Sequence, residues 1–203
     1  MNTPADITRF CYELGQLKRL PRAGWHRAGV ANPESVAAHS WRVGCIAMVL
    51  AHMEGMDAAG AEHAMALGNA HDLPESRIGD VGPVAKPYAS LADPATITQD
   101  QTARLPASVA RHYQSLVSEH ESAKTGGTLA ARCSRDADKL DCLLQAREYA
   151  QSGNQAVHHW MSDAYEALRT SSGRALADEA MRMDPTEWWT NLTVHTDQAH
   201  VAG

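Results

Sequence analysis

The chain has 203 residues, enough for one domain whose core needs no disulfide or metal staple. Its formal net charge is -6 and its longest basic cluster is the short LKRLPR, which excludes the electrostatic footprint of a nucleic-acid polymer binder. No apolar run approaches about 18 residues and no basic start leads into an apolar segment, so neither a membrane span nor a secretory signal is expected. The four cysteines (Cys11, Cys45, Cys133, Cys142) show no C-x-x-C spacing, and three fall on apolar helical positions. They read as small core residues in a reducing, cytoplasmic compartment.

Aromatic residues make up only 5%, and β-branched runs with period-2 alternation are hard to find, so an all-α fold is expected. Thr3 as N-cap, Pro4 at the first helical position and Asp6 in the first turn open a helix with Ile7, Phe10, Cys11, Leu14 and Leu17 on its stripe. It stops near Pro21. The stretch PRAGWHRAGVANPE has no sustained period and reads as a loop anchored by Trp25. Ser35 caps a helix to about Gly55, with Val36, His39, Val43, Ile46, Ala47 and Leu50 on one stripe. Asp57 caps the next, in which Ala64, Leu67, Gly68 and His71 share a face.

From Leu73 to about Pro106, Pro/Gly density and mixed polarity predict a long irregular connection with at most short helices, and connections of that length are often functional. A helix over Ala107 to Ala123 ends at Gly126-Gly127. TLAARCSRDADKLDCLLQAREYAQSG follows as a strongly amphipathic helix, with Leu129, Cys133, Ala137, Leu140 and Leu144 as its stripe and Asp138 at the stripe's edge. Helices over about 155–170 and 174–183 precede a tail, from Pro185, without a clear pattern.

A His-Asp pair such as His71-Asp72 is uninformative alone. With His39 and Asp138, however, it makes four polar residues on or beside the inner faces of three helices. A buried, ionised carboxylate costs several kcal/mol unless it is paired or binds a cation, so two acids and two imidazoles aimed at one interior call for a common partner; the plainer reading makes His39 a hydrogen-bonded core histidine, His71-Asp72 a frayed helix end, and Asp138 a partner of Lys139 or an exposed residue. Two nitrogens and two carboxylates suit one divalent ion such as Zn, Co, Mn, Ni or Fe(II).

LKRLPRAGW, PESVAAHSWRV, HDLPESRIGD and RDADKLDCLLQAREY occur in the order and spacing of one family. Over about residues 8–183 the chain resembles the HD-domain phosphohydrolases of the 5'-deoxynucleotidase group. The resemblance implies an all-α HD-domain helical bundle, a single domain over 1–203 with a tail from 184, and a divalent metal held by His39, His71, Asp72 and Asp138. It further implies Glu75 as the acid/base beside the attacking water, Asp80 and Lys86 near the substrate, Trp25 near the sugar and Arg22 at the phosphate. The expected substrate is a 2'-deoxynucleoside 5'-monophosphate, and the expected assembly is a homodimer. Two departures stand out: Arg22 is not immediately before the Trp, as it is in some members, and Ala38 replaces the acid that relatives often carry before the first His.

Three other readings compete. An HD-type triphosphohydrolase of deoxynucleoside triphosphates would share the metal site and differ in the room at the phosphate end. A di-iron HD oxygenase would need further His ligands between Asp72 and Asp138; His112 and His120 lie there, but not at the i, i+4 spacing that puts two ligands on one helix face. A metal-free regulatory bundle would have shown lost ligands, whereas the set here is complete.

Overall fold

The computed structural model describes residues 3–190 and Leu192. Among these residues the structure is helical, with one isolated antiparallel bridge between Pro21 and Ser35. The helices are α1 (Pro4–Leu14), α2 (Ala23–Arg27), α3 (Val36–Met53), α4 (Ala58–Ala70), α5 (Glu75–Ile78), α6 (Pro94–Thr102), α7 (Ala107–Ser122), α8 (Leu129–Gln151), α9 (His158–Ala167), α10 (Ser171–Arg182) and α11 (Glu187–Thr190).

The helix starts follow from side-chain chemistry. Thr3 and Asp6 form a reciprocal capping box on α1, Ser35 Oγ accepts from the Ala38 amide at 3.1 Å, and Asp57 accepts from the Gly60 amide at 2.9 Å. Each satisfies amides that the first turn leaves without a partner. Two expectations need correction. The stretch after Pro21 is not wholly a loop, because α2 forms once Trp25 is buried. In α1, Ile7 and Cys11 face solvent, leaving Phe10, and Leu17 in the turn after the helix, as the buried residues of the predicted stripe. Of the tail, α11 is described; residues 193–203 lie outside the described set.

The core is built from small residues. α3, α4 and α8 meet through Val43, Ala47, Leu50, Ala61, Ala64, Leu67, Cys133 and Ala137. Alanine and glycine let backbones approach: a Cβ on Gly68 would lie 2.9 Å from Gly44 Cα, so α3 and α4 cross with main chains in contact. This antiparallel pair brings the start of α3 beside the end of α4, and α8 lies across both. His39, His71-Asp72 and Asp138 therefore converge at one end of a tightly packed triangle. Among the described residues, no helix is long and apolar enough to cross a membrane.

Candidate metal centre

His39 lies in the first turns of α3 and is wholly buried. Its Nδ1 lies 2.6 Å from Asp141 Oδ2, and the other oxygen of Asp141 accepts from Arg42 Nε. Arg42 also reaches Glu148 (2.8 Å) and Gln145 (3.0 Å), so the imidazole stands at the head of a fixed chain of groups. His71, just past α4, donates from Nδ1 to the Gly68 carbonyl at 2.7 Å. A carbonyl only accepts, so Nδ1 carries a proton and Nε2 is the nitrogen left to face the cluster.

Both Nε2 atoms meet carboxylates. His71 Nε2 lies 3.1 Å from Asp72 Oδ2, and His39 Nε2 lies 3.3 Å from Asp138 Oδ1 and 3.7 Å from Asp72 Oδ2. Both Nε2 atoms are buried without a hydrogen-bond partner. Carboxylates gathered in a buried site are tolerated only around positive charge: here Lys139, 2.8 Å from Asp138, Arg22, 3.3 Å from Asp72, a proton on an imidazole, or a bound cation. Donor atoms of His39, His71 and Asp72 all lie within 4.8 Å of one another. An ion bonded at about 2.0–2.2 Å sets its donors roughly 3–4.4 Å apart, so these three residues fit one divalent cation, and Asp138 joins them through its 3.3 Å approach to His39.

Without an ion, a proton supplies part of that positive charge. Burial and Arg22 oppose charge on His39, yet Asp138 and Asp141 hold its imidazole well above the ordinary range. Burial also works against ionisation of Asp72, but His71, Arg22 and His39 keep its carboxyl below the usual range. Glu75, at the start of α5, behaves oppositely. Burial, then the charges of Asp72 and Asp80, push it up to about 9, and its Oε2 is buried without a partner. It is a neutral acid beside a cluster of anions.

Arg22, the residue before α2, points its guanidinium into this cluster, 3.3 Å from Asp72 and 3.7 Å from Asp80. Asp80 accepts from the Ala23 amide at 2.8 Å, which ties the connection after His71 to the N-terminus of α2. Gly79 (φ 76°) makes the turn that allows it. The structure thus gathers His39, His71, Asp72, Asp138, Glu75, Arg22 and Asp80. Lys86 is not in that group: it lies exposed in a short 3-10 turn. Trp25 is 2% exposed, packed on Tyr149 and Trp160, and donates to Glu34 at 3.0 Å. This leaves the ring no open face for a sugar; its place is that of an anchor for α2 and so for Arg22.

Sequence reasoning missed three groups. Asp141 and Arg42 escaped notice, although they lie three residues beyond Asp138 and His39 on the same helix faces, the spacing that marks neighbours. His120, set aside because it lacks the i, i+4 spacing to His112, is buried with its ring centroid 4.9 Å from that of His71 and its Nδ1 2.8 Å from Ser134 Oγ. Burial, then His71, lowers it to about 3, so it is a neutral neighbour. His112 is exposed, and among the described residues neither His belongs to a group that could hold an ion, which removes the support for a second iron.

An all-helical scaffold presenting two imidazoles, two carboxylates and a protonated acid defines a metal-dependent hydrolase. The HD domain family matches residues 14–179. The chain belongs to this family, and with it to the metal-dependent phosphohydrolases. It is 30% identical over 154 residues to mouse 5'-deoxynucleotidase HDDC2, covering 74% of this chain and 73% of that protein. The Dictyostelium discoideum 5'-deoxynucleotidase HDDC2 is 32% identical over 162 residues, with coverages of 76% and 82%. Among solved structures, a predicted metal-dependent phosphohydrolase from Magnetospirillum magnetotacticum matches with a TM-score of 0.62 and 25% identity, covering 90% of this chain and 97% of that one.

Proposed function

We propose that the protein removes the phosphate from 2'-deoxynucleoside 5'-monophosphates, using one divalent ion of the Zn, Co, Mn, Ni or Fe(II) group held by His39, His71, Asp72 and Asp138. The observation that carries this reading is the pair of buried, unpartnered Nε2 atoms facing two carboxylates. The 5'-deoxynucleotidase relatives support the substrate class. When bound, such a cation lowers the pKa of water and offsets charge building on phosphorus.

The chain's own residues do the rest. Arg22 offers a bidentate guanidinium to phosphate oxygens, exchanging its contacts with Asp72 and Asp80 for the substrate. Glu75, protonated in its anionic surroundings, donates to the leaving 5'-oxygen as the nucleophile adds to phosphorus, and regains its proton from the next water that it positions. Asp80 holds Arg22 in place through the Ala23 amide. Trp25 acts through the placement of α2, and Lys86 meets substrate from the exposed segment.

The whole chain is read as one domain working in the cytoplasm, in keeping with four unpaired cysteines, and as a homodimer. Trp41, 65% exposed on α3 with Val49 and Met53, gives a second copy an apolar face to cover. Deoxy- and ribonucleoside mono- and triphosphates assayed with Mn, Co and Zn, with phosphate resolved from pyrophosphate and triphosphate, test the reading. The expected result is free phosphate from dAMP-like substrates, faster than from ribo counterparts. Triphosphate release from dATP-like substrates without turnover of monophosphates overturns it.

A further inference from the structure

A second set of donors meets at the same imidazole. The Sγ of Cys142, a ring nitrogen of His39 and a carboxylate oxygen of Asp138 all lie within 4.8 Å of one another. Cys142 follows Asp138 by one turn of α8, so both side chains leave the helix on one face. With Nδ1 of His39 committed to Asp141, the atom left facing Asp138 and this sulfur is the wholly buried, unpartnered Nε2. Oxygen and nitrogen donors alone set no preference for soft ions, whereas a thiolate does. Among the four cysteines, Cys142 is the one grouped with the centre's residues.

We propose that Cys142 is a further donor to this centre, biasing it toward thiophilic ions such as Zn(II), Co(II) and Cd(II) over Mn(II). The proposal rests on the metal reading above and adds a ligand to it. In binding, sulfur gives an electron pair to the ion and its S–H proton leaves to solvent. Arg22 Nη2, 3.8 Å from the sulfur, lies where it can offset the charge of the thiolate.

Cobalt separates the two ideas. Wild-type protein loaded with one equivalent of Co(II) is expected to show visible d–d bands together with a near-ultraviolet sulfur-to-cobalt charge-transfer band. Cys142→Ser and Cys142→Ala are expected to lose the charge-transfer band while retaining cobalt and helicity. Their affinity for Cd(II) should fall by about tenfold or more, the scale of losing a group that supports a metal, with Mn(II) affinity moving less. The resonance of bound cadmium-113 in the wild-type protein reads sulfur ligation without any variant. Bound cobalt with d–d bands but no charge-transfer band, a band that persists without Cys142, or a cadmium resonance in the nitrogen/oxygen range overturns the donor role and leaves the metal reading standing. Failure of wild-type protein to bind cobalt at all overturns both.

Discussion

The two halves of the site are built differently. The metal half stands on the crossing of α3, α4 and α8, where each histidine is held by its other nitrogen: His39 by Asp141 and Arg42, His71 by the Gly68 carbonyl. The substrate half comes from the connection after His71, and its hold weakens along the chain. Near Glu75 it is pinned, since Gln101 donates to the Leu73 carbonyl, Ser76 and Glu13, while Arg77 pairs with Glu13. Asp80 is fixed by one backbone amide, and by Lys86 the segment is exposed. Groups that must converge within tenths of an ångström sit on packed helices, and groups that must admit a substrate sit where packing is lighter.

The comparison breaks first at the ligands. His39→Ala or Asp138→Ala should lower metal affinity by more than about 100-fold, beyond the usual cost of losing a supporting group, and activity should vanish with the metal. Elemental analysis of the purified variants checks this, and full occupancy in both would dissolve the metal half. Next comes the boundary between the halves. Glu75→Gln should keep its metal and helicity yet lose about 10²-fold or more in kcat, which steady-state kinetics on a metal-loaded sample would measure.

Asp141→Asn tests whether support of His39 matters as its burial implies. A 10- to 100-fold rise in metal Kd is expected by competition with a chromophoric chelator, with little change in KM for substrate. Lys86→Ala should show the smallest effect. An exposed cation contributes at most about 1 kcal/mol, so KM should rise no more than roughly fivefold, and thermal melting should not move.

The same contrast explains what could be read from the chain. The caps at Ser35 and Asp57 and the stripes of α3, α4 and α8 are local and periodic, so the helices that carry His39, His71 and Asp138 were legible, and with them the inward aim of those side chains. α2 was not legible, because its five residues owe their shape to Trp25 being buried among Ala146, Val157 and Met161, contacts from far along the chain. Trp25 itself was misjudged for the same reason: its aromatic character was visible, but not that its ring is enclosed. The links from Asp141 to His39 and from Asp80 to the Ala23 amide join segments 102 and 57 residues apart, beyond any local spacing.

Gly68 has a consequence for thermodynamics. One residue supplies both the main-chain contact with Gly44 and the carbonyl that orients His71. Helix spacing and ligand aim are therefore a single variable, and whatever strains one is felt by the other. A methyl group at this position should cost about 1–3 kcal/mol of folding free energy through overpacking. Because an ion that binds only the folded chain stabilises it by mass action, raising the metal concentration should restore part of the melting temperature lost in Gly68→Ala. The slope of that recovery against the logarithm of metal concentration would measure how tightly the crossing of two helices and the grip on one ion are linked.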